Sequence, residues 1–131
     1  MTNERQTTYR GSCHCGAVTY EVTAAAHLEV EDCNCSICRK AGYLHLLVPA
    51  RAFKLLSGES VLTSYRFNTG VAHHRFCSVC GIKAFYVPRS NPDGVAVNAR
   101  TLDTPIERMT IVPFDGENWE ANAASLAHKS R

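Results

Sequence analysis

Cys13-His14-Cys15-Gly16, Cys33-Asn34-Cys35-Ser36-Ile37-Cys38 and Cys77-Ser78-Val79-Cys80-Gly81 contain all seven cysteines of the chain. Two residues between cysteines let a tight turn aim both sulfurs at one ion, about 2.3 Å from each. A single intervening residue does the same where the chain enters or leaves a strand, with its own side chain splayed outward, the reading for His14. Glycine directly after Cys80 lets the backbone fold back beneath the ion. Disulfides would need an oxidising compartment and would leave one thiol of seven unpaired. Nothing in the polar residues 1–10 reads as a secretory signal, so the cysteines read as metal ligands. Seven divides into four and three, but spacing leaves the partition open. One choice joins Cys35 and Cys38 to Cys77 and Cys80, as in a zinc ribbon. The other joins Cys13 and Cys15 to Cys77 and Cys80 and keeps Cys33, Cys35 and Cys38 as a separate triplet. Zinc takes four ligands, so three thiolates leave one position for water or substrate, the arrangement of catalytic sites.

Outward from the cysteines, most of the chain has strand character. Alternating, β-branched or aromatic stretches at 17–22, 27–31, 43–48, 53–56, 61–67, 72–76, 82–87 and 95–99 are separated by turn signals such as Ser57-Gly58-Glu59, Asn68-Thr69-Gly70 and Asn91-Pro92-Asp93-Gly94. Many short strands in one domain-sized chain of 131 residues predict a mainly β, antiparallel domain. Helix is expected only as one turn at 35–41 and as a C-terminal helix following Asp115-Gly116-Glu117-Asn118-Trp119. No apolar run approaches the length of a membrane span. The expectation is a soluble, cytoplasmic chain with no membrane partner. Its formal charge of +2 falls to about −1 once seven thiolates and two Zn²⁺ are counted. That balance argues against nucleic acid as a partner.

Taken together, Gly11-Ser12-Cys13-His14-Cys15-Gly16-Ala17-Val18, Cys33-Asn34-Cys35-Ser36-Ile37-Cys38-Arg39-Lys40 and Arg75-Phe76-Cys77-Ser78-Val79-Cys80-Gly81 resemble the glutathione-dependent formaldehyde-activating enzyme (GFA) family. Phe67-Asn68-Thr69 and Phe85-Tyr86-Val87-Pro88-Arg89-Ser90-Asn91-Pro92 are similar to its centromere protein V type. The resemblance implies a β-tent (Mss4-like) fold of antiparallel sheets stapled by zinc, with short helical turns. It also implies a structural zinc on Cys13, Cys15, Cys77 and Cys80, and a second zinc on Cys33, Cys35 and Cys38, two Zn²⁺ per chain. Residues 1–8 are then a flexible N-terminal segment, 9–125 the zinc domain and 126–131 a C-terminal tail.

The implied activity is that of a zinc-dependent carbon–sulfur lyase acting on a small-molecule thiol or glutathione adduct, such as S-hydroxymethylglutathione. Glutathione carries two carboxylates, which arginine's planar fork binds well. Arg39 and Lys40 directly follow the triplet, and Arg89 opens a loop expected either to border the pocket or to be a plain hairpin turn, so these three are the candidate substrate contacts. Arg66 and Arg75 are further basic candidates. Among the histidines, alternation sends His73 and His74 to opposite faces, so one could face the second zinc as a ligand or acid–base group, with a packing or surface role favoured for either, while His45 reads as a satisfied core residue. No catalytic residue is named. The alternatives are a non-catalytic zinc module that binds a protein or nucleic acid, and a redox sensor built on the triplet.

Overall fold

Strand parity organises this molecule. The computed structural model describes residues 6–66 and 74–130. The strands are β1 (Gln6–Ser12), β2 (Thr19–Ala25), β3 (His27–Cys33), β4 (Leu44–Pro49), β5 (Phe53–Ser57), β6 (Leu62–Tyr65), β7 (His74–Cys77), β8 (Phe85–Tyr86), β9 (Gly94–Asn98) and β10 (Arg108–Phe114). They form a three-stranded sheet, β1-β2-β5, a five-stranded sheet, β10-β3-β4-β9-β8, and the hairpin β6-β7. The expected mainly β, antiparallel architecture is what the structure has. One pair departs from it: β10 runs parallel to β3, from Arg108 opposite His27 to Phe114 opposite Cys33.

In β4, Leu44, Leu46 and Val48 face the main core against the three-stranded sheet, with Tyr20, Val22, Val30, Phe85 and Val97. Leu47 faces the other way, into a smaller apolar cluster of Tyr43, Tyr86, Ala96 and Leu126. The same alternation divides β8 into Phe85 and Tyr86, and β9 into Val97 and Ala96. In β3, Leu28 and Val30 belong to the main core, so Glu31 and Cys33 project from the opposite face. The central sheet therefore has one purely structural face and one face carrying chemistry.

Both strands that the sequence reading missed are poor in apolar side chains. β1 buries Tyr9 but is otherwise mostly polar, and β10 is an edge strand with exposed Met109 and Ile111 and a Pro113 that an interior strand would not tolerate. β1 begins at Gln6, paired with Ala25, so order starts inside the segment read as flexible. The segment read as a tail is also packed. A 3-10 helix, Ala123–Ser130, follows the short α2 (Trp119–Asn122). Asn91, fully buried, donates to the Leu126 carbonyl at 2.8 Å and to Ser130 Oγ at 2.9 Å. Lys129 pairs with Glu29 and Glu31. Such internal partners keep a terminus from fraying. The expected strand at 82–87 shrinks to β8 because Ile82 accepts from Cys77 N, and Lys83 and Ala84 bond to Asn98, outside any ladder of their own. The 68–70 turn, His73 and parts of the 61–67 and 72–76 stretches lie outside the described residues. No helix among the described residues is long and apolar enough to cross a membrane.

Candidate metal centres and the adjoining cavity

Two knuckles and a helical turn aim the seven sulfurs. Gly16 and Gly81, each directly after the second cysteine of its pair, have φ of 81°. That left-handed conformation returns the chain beneath the sulfurs: Gly16 N donates to Cys13 O at 3.2 Å, and Gly81 N to Cys77 O at 2.8 Å. In the third group, Cys33 ends β3, Cys35 is the N-cap of α1 (Ser36–Ala41), and Cys38 lies buried within that helix.

The sulfurs of Cys13, Cys15, Cys77 and Cys80 all lie within 4.8 Å of one another, and so do those of Cys33, Cys35 and Cys38. The zinc-ribbon pairing of Cys35 and Cys38 with Cys77 and Cys80 is not formed. Zn–S bonds of about 2.3 Å in a tetrahedron put sulfurs about 3.8 Å apart. Cys13 and Cys15 are 3.6 Å apart, and Cys15 and Cys77 are 3.7 Å apart although 62 residues separate them. The first cluster can therefore hold a metal ion with little adjustment. Among the described residues, no histidine or carboxylate lies within 4.8 Å of all three triplet sulfurs; His45 approaches Cys38 alone, at 3.5 Å.

The triplet forms part of the wall of a cavity of about 410 Å³ on the chemical face of the central sheet. Leu47, Phe114, Trp119 and Leu126 supply apolar wall, while Glu31, His45, His74, Tyr86, Arg39 and Arg89 supply the polar groups. Of the candidate substrate contacts, Arg39 and Arg89 line this space, whereas Lys40 is exposed and stands outside the lining. The loop that Arg89 opens does border the cavity. Arg89 lies 3.5 Å over the Trp119 ring and pairs with Glu120 at 3.1 Å. Arg75 instead pairs with Glu59.

The structure adds polar residues that sequence spacing did not single out. His45 is buried, and its Nε2 lies 2.9 Å from Tyr86 Oη and 3.5 Å from Cys38 Sγ. It is a core histidine but not the satisfied one expected, because its buried Nδ1 has no hydrogen-bond partner, and it stands in the cavity wall. Burial, reinforced by the charge of Lys83, lowers its pKa to about 4. Glu31 is 3% exposed; one carboxylate oxygen meets Lys129 and the other, Oε1, has no hydrogen-bond partner. Burial pushes its pKa up. Parity along β3 was the available signal, since Glu31 precedes Cys33 by two residues on one face. His14 is exposed, as the outward reading required.

Relatives bear on what this arrangement is. Residues 8–120 match the model of the glutathione-dependent formaldehyde-activating enzyme family. A Halomonas elongata protein, provisionally named a glutathione-dependent formaldehyde-activating enzyme, is 29% identical over 121 residues, covering 83% of this chain and 77% of its own length. A Rhodobacter sphaeroides protein of known crystal structure is 33% identical and superposes with a TM-score of 0.66, over 77% of this chain and 99% of its own. These matches do not reach as far as the centromere protein V type. With all three cysteine groups inside the matched region, the chain belongs to the glutathione-dependent formaldehyde-activating enzyme family.

Proposed function

We propose that this protein is a zinc-dependent, carbon–sulfur lyase-type enzyme that forms or cleaves a thiol adduct such as S-hydroxymethylglutathione. The observation that carries this reading is the position of the triplet: three converging sulfurs in the wall of a ligand-sized cavity, with no further histidine, cysteine or carboxylate among the described residues within 4.8 Å of all three. Cys13, Cys15, Cys77 and Cys80 would hold one zinc structurally, and Cys33, Cys35 and Cys38 a second. Held by these three thiolates, zinc would supply Lewis acidity toward a substrate thiolate or an aldehyde oxygen.

The chain's own residues do the remaining work. Arg39 and Arg89 offer guanidinium groups to the two carboxylates of glutathione, and stacking on Trp119 limits the freedom Arg89 loses on binding. His45 and Tyr86 brace Cys38. Leu47, Phe114 and Leu126 exclude water, which strengthens every charge interaction inside the cavity. Thiol ligation requires reduced cysteines, so the reading carries a cytoplasmic location with it.

The test is exchange NMR of formaldehyde and glutathione with metal-loaded protein. Acceleration proportional to protein concentration, lost in Cys35→Ser while one metal per chain remains, supports the reading. Two bound metals without any acceleration would overturn it and leave the non-catalytic zinc module.

A further inference from the structure

His74 opens β7 and lines the cavity, 6% exposed. Its ring stacks on Tyr86, with centroids 4.8 Å apart and planes 29° apart. Lys83 Nζ lies 2.6 Å from His74 Nδ1 and sits over both the Tyr86 ring, at 3.7 Å, and the Tyr43 ring, at 4.8 Å. A lysine ammonium has three donors and no acceptor. In this contact it must donate, so Nδ1 must accept, the ring must be neutral, and its proton must sit on Nε2. Two aromatic faces hold the ammonium where it does this.

We propose that Lys83 locks His74 in the neutral Nε2–H tautomer, and that this N–H is the donor to the aldehyde-derived oxygen of the adduct in the cavity. Neutrality has further support. Burial, then the charge of Lys83, lowers the His74 pKa to about 4, with Cys35 opposing. Burial lowers Lys83 to about 8, so near neutrality it remains largely the ammonium. Among the described residues, Lys83 and Cys35 act on His74 electrostatically, and His45 and Tyr86 lie beside it.

The inference rests on the proposed activity for its second half only. In adduct formation the thiolate's electron pair forms the C–S bond and the C=O π pair moves onto oxygen. The resulting alkoxide accepts the Nε2–H hydrogen bond and takes its proton from water. In cleavage the hydroxyl proton leaves to water, the oxygen pair re-forms C=O, and the C–S pair departs with sulfur. No oxidant is consumed. His74 is then a catalytic residue and Lys83 a positioning residue.

Long-range ¹H–¹⁵N NMR of histidine-labelled, metal-loaded protein reads the tautomer without turnover. Nε2–H with an unprotonated Nδ1, kept in Lys83→Arg and lost to a tautomer mixture in Lys83→Met, is the expected result. An Nδ1–H tautomer in the wild type, or no change in Lys83→Met, overturns the lock. His74→Phe should lower kcat roughly 10²- to 10³-fold with both metals retained, the usual effect of removing one oxyanion donor. His74→Gln, whose amide N–H stands near the Nε2 position, should recover part of that loss. Wild-type kcat in His74→Phe overturns the donor role. A wild type without turnover removes the donor role together with the proposed activity, whereas the spectrum decides the lock by itself.

Discussion

Gly116→Ala should displace the triplet and leave the four-sulfur cluster alone. A Cβ at position 116 would stand 2.3 Å from Cys33 Sγ and 3.1 Å from Cys35 Cβ. Ordinary contact begins near 3.4 Å, so one side must yield by about 1.1 Å. The turn carrying Gly116 is pinned: Asn34 Nδ2 donates to Asp115 Oδ1 at 3.1 Å, Glu117 N to Asn34 Oδ1 at 2.9 Å, and Asn34 N to Phe114 O at 3.1 Å. The sulfur should therefore move, and about 1 Å far exceeds the roughly 0.2 Å tolerance of a metal–ligand distance. Overpacking costs about 1–3 kcal/mol. Placed on metal affinity, that weakens binding at the triplet about 5- to 150-fold. Chelator competition on the zinc-loaded protein should show one of two metals released early, with far-ultraviolet circular dichroism unchanged. Wild-type affinity at both sites together with a lower Tm would mean that the turn yields instead, and would refute the steric reasoning.

Cys77→Ser removes a fully buried sulfur from the cluster that ties β1 to β7. If the zinc proposed for this cluster contributes to folding as structural zinc does in zinc-finger peptides, about 10–16 kcal/mol, this variant should be largely unfolded by circular dichroism. Arg89→Ala should raise KM for the glutathione adduct about tenfold or more with kcat little changed, the loss expected for one charged hydrogen bond in ground and transition states alike. Stability should fall with pH as the buried histidines protonate. His74 has a folded pKa near 4, below its unfolded value of about 6.5. The unfolded state then binds the extra proton first, so the stabilisation is complete above about pH 6.5 and is lost on descent towards pH 4, by up to roughly 3 kcal/mol. His74→Gln should flatten that difference in denaturant titrations at a series of pH values; a slope equal to wild type would count against a neutral buried ring.

Local chemistry was legible along the chain. Cys77-Ser78-Val79-Cys80-Gly81 announces a knuckle because the geometry of a tight turn depends on a handful of consecutive residues, and the structure has that turn with Gly81 in the left-handed region. Alternation located β2 and β3 to within a few residues, because a half-buried strand must show period two, whereas β4 and β9, buried along almost their whole length, were legible as short apolar stretches between turn signals. β1 and β10 escaped because edge strands that bury few side chains need no such pattern.

What the sequence determined alone was therefore the set of metal-capable turns, the β class and, through the resemblance of three cysteine groups in order, the family. Only the tertiary structure decided which groups meet. Cys15 reaches Cys77 across 62 residues, and Arg39 enters the cavity lining while its neighbour Lys40 does not. Glu31, Cys33, His45 and Tyr86, from three strands, come to one wall because the register of the central sheet turns their parity the same way. Spacing constrains neighbours through bond geometry, but side chains far apart in the chain are brought together by sheet pairing and burial, which no local pattern encodes.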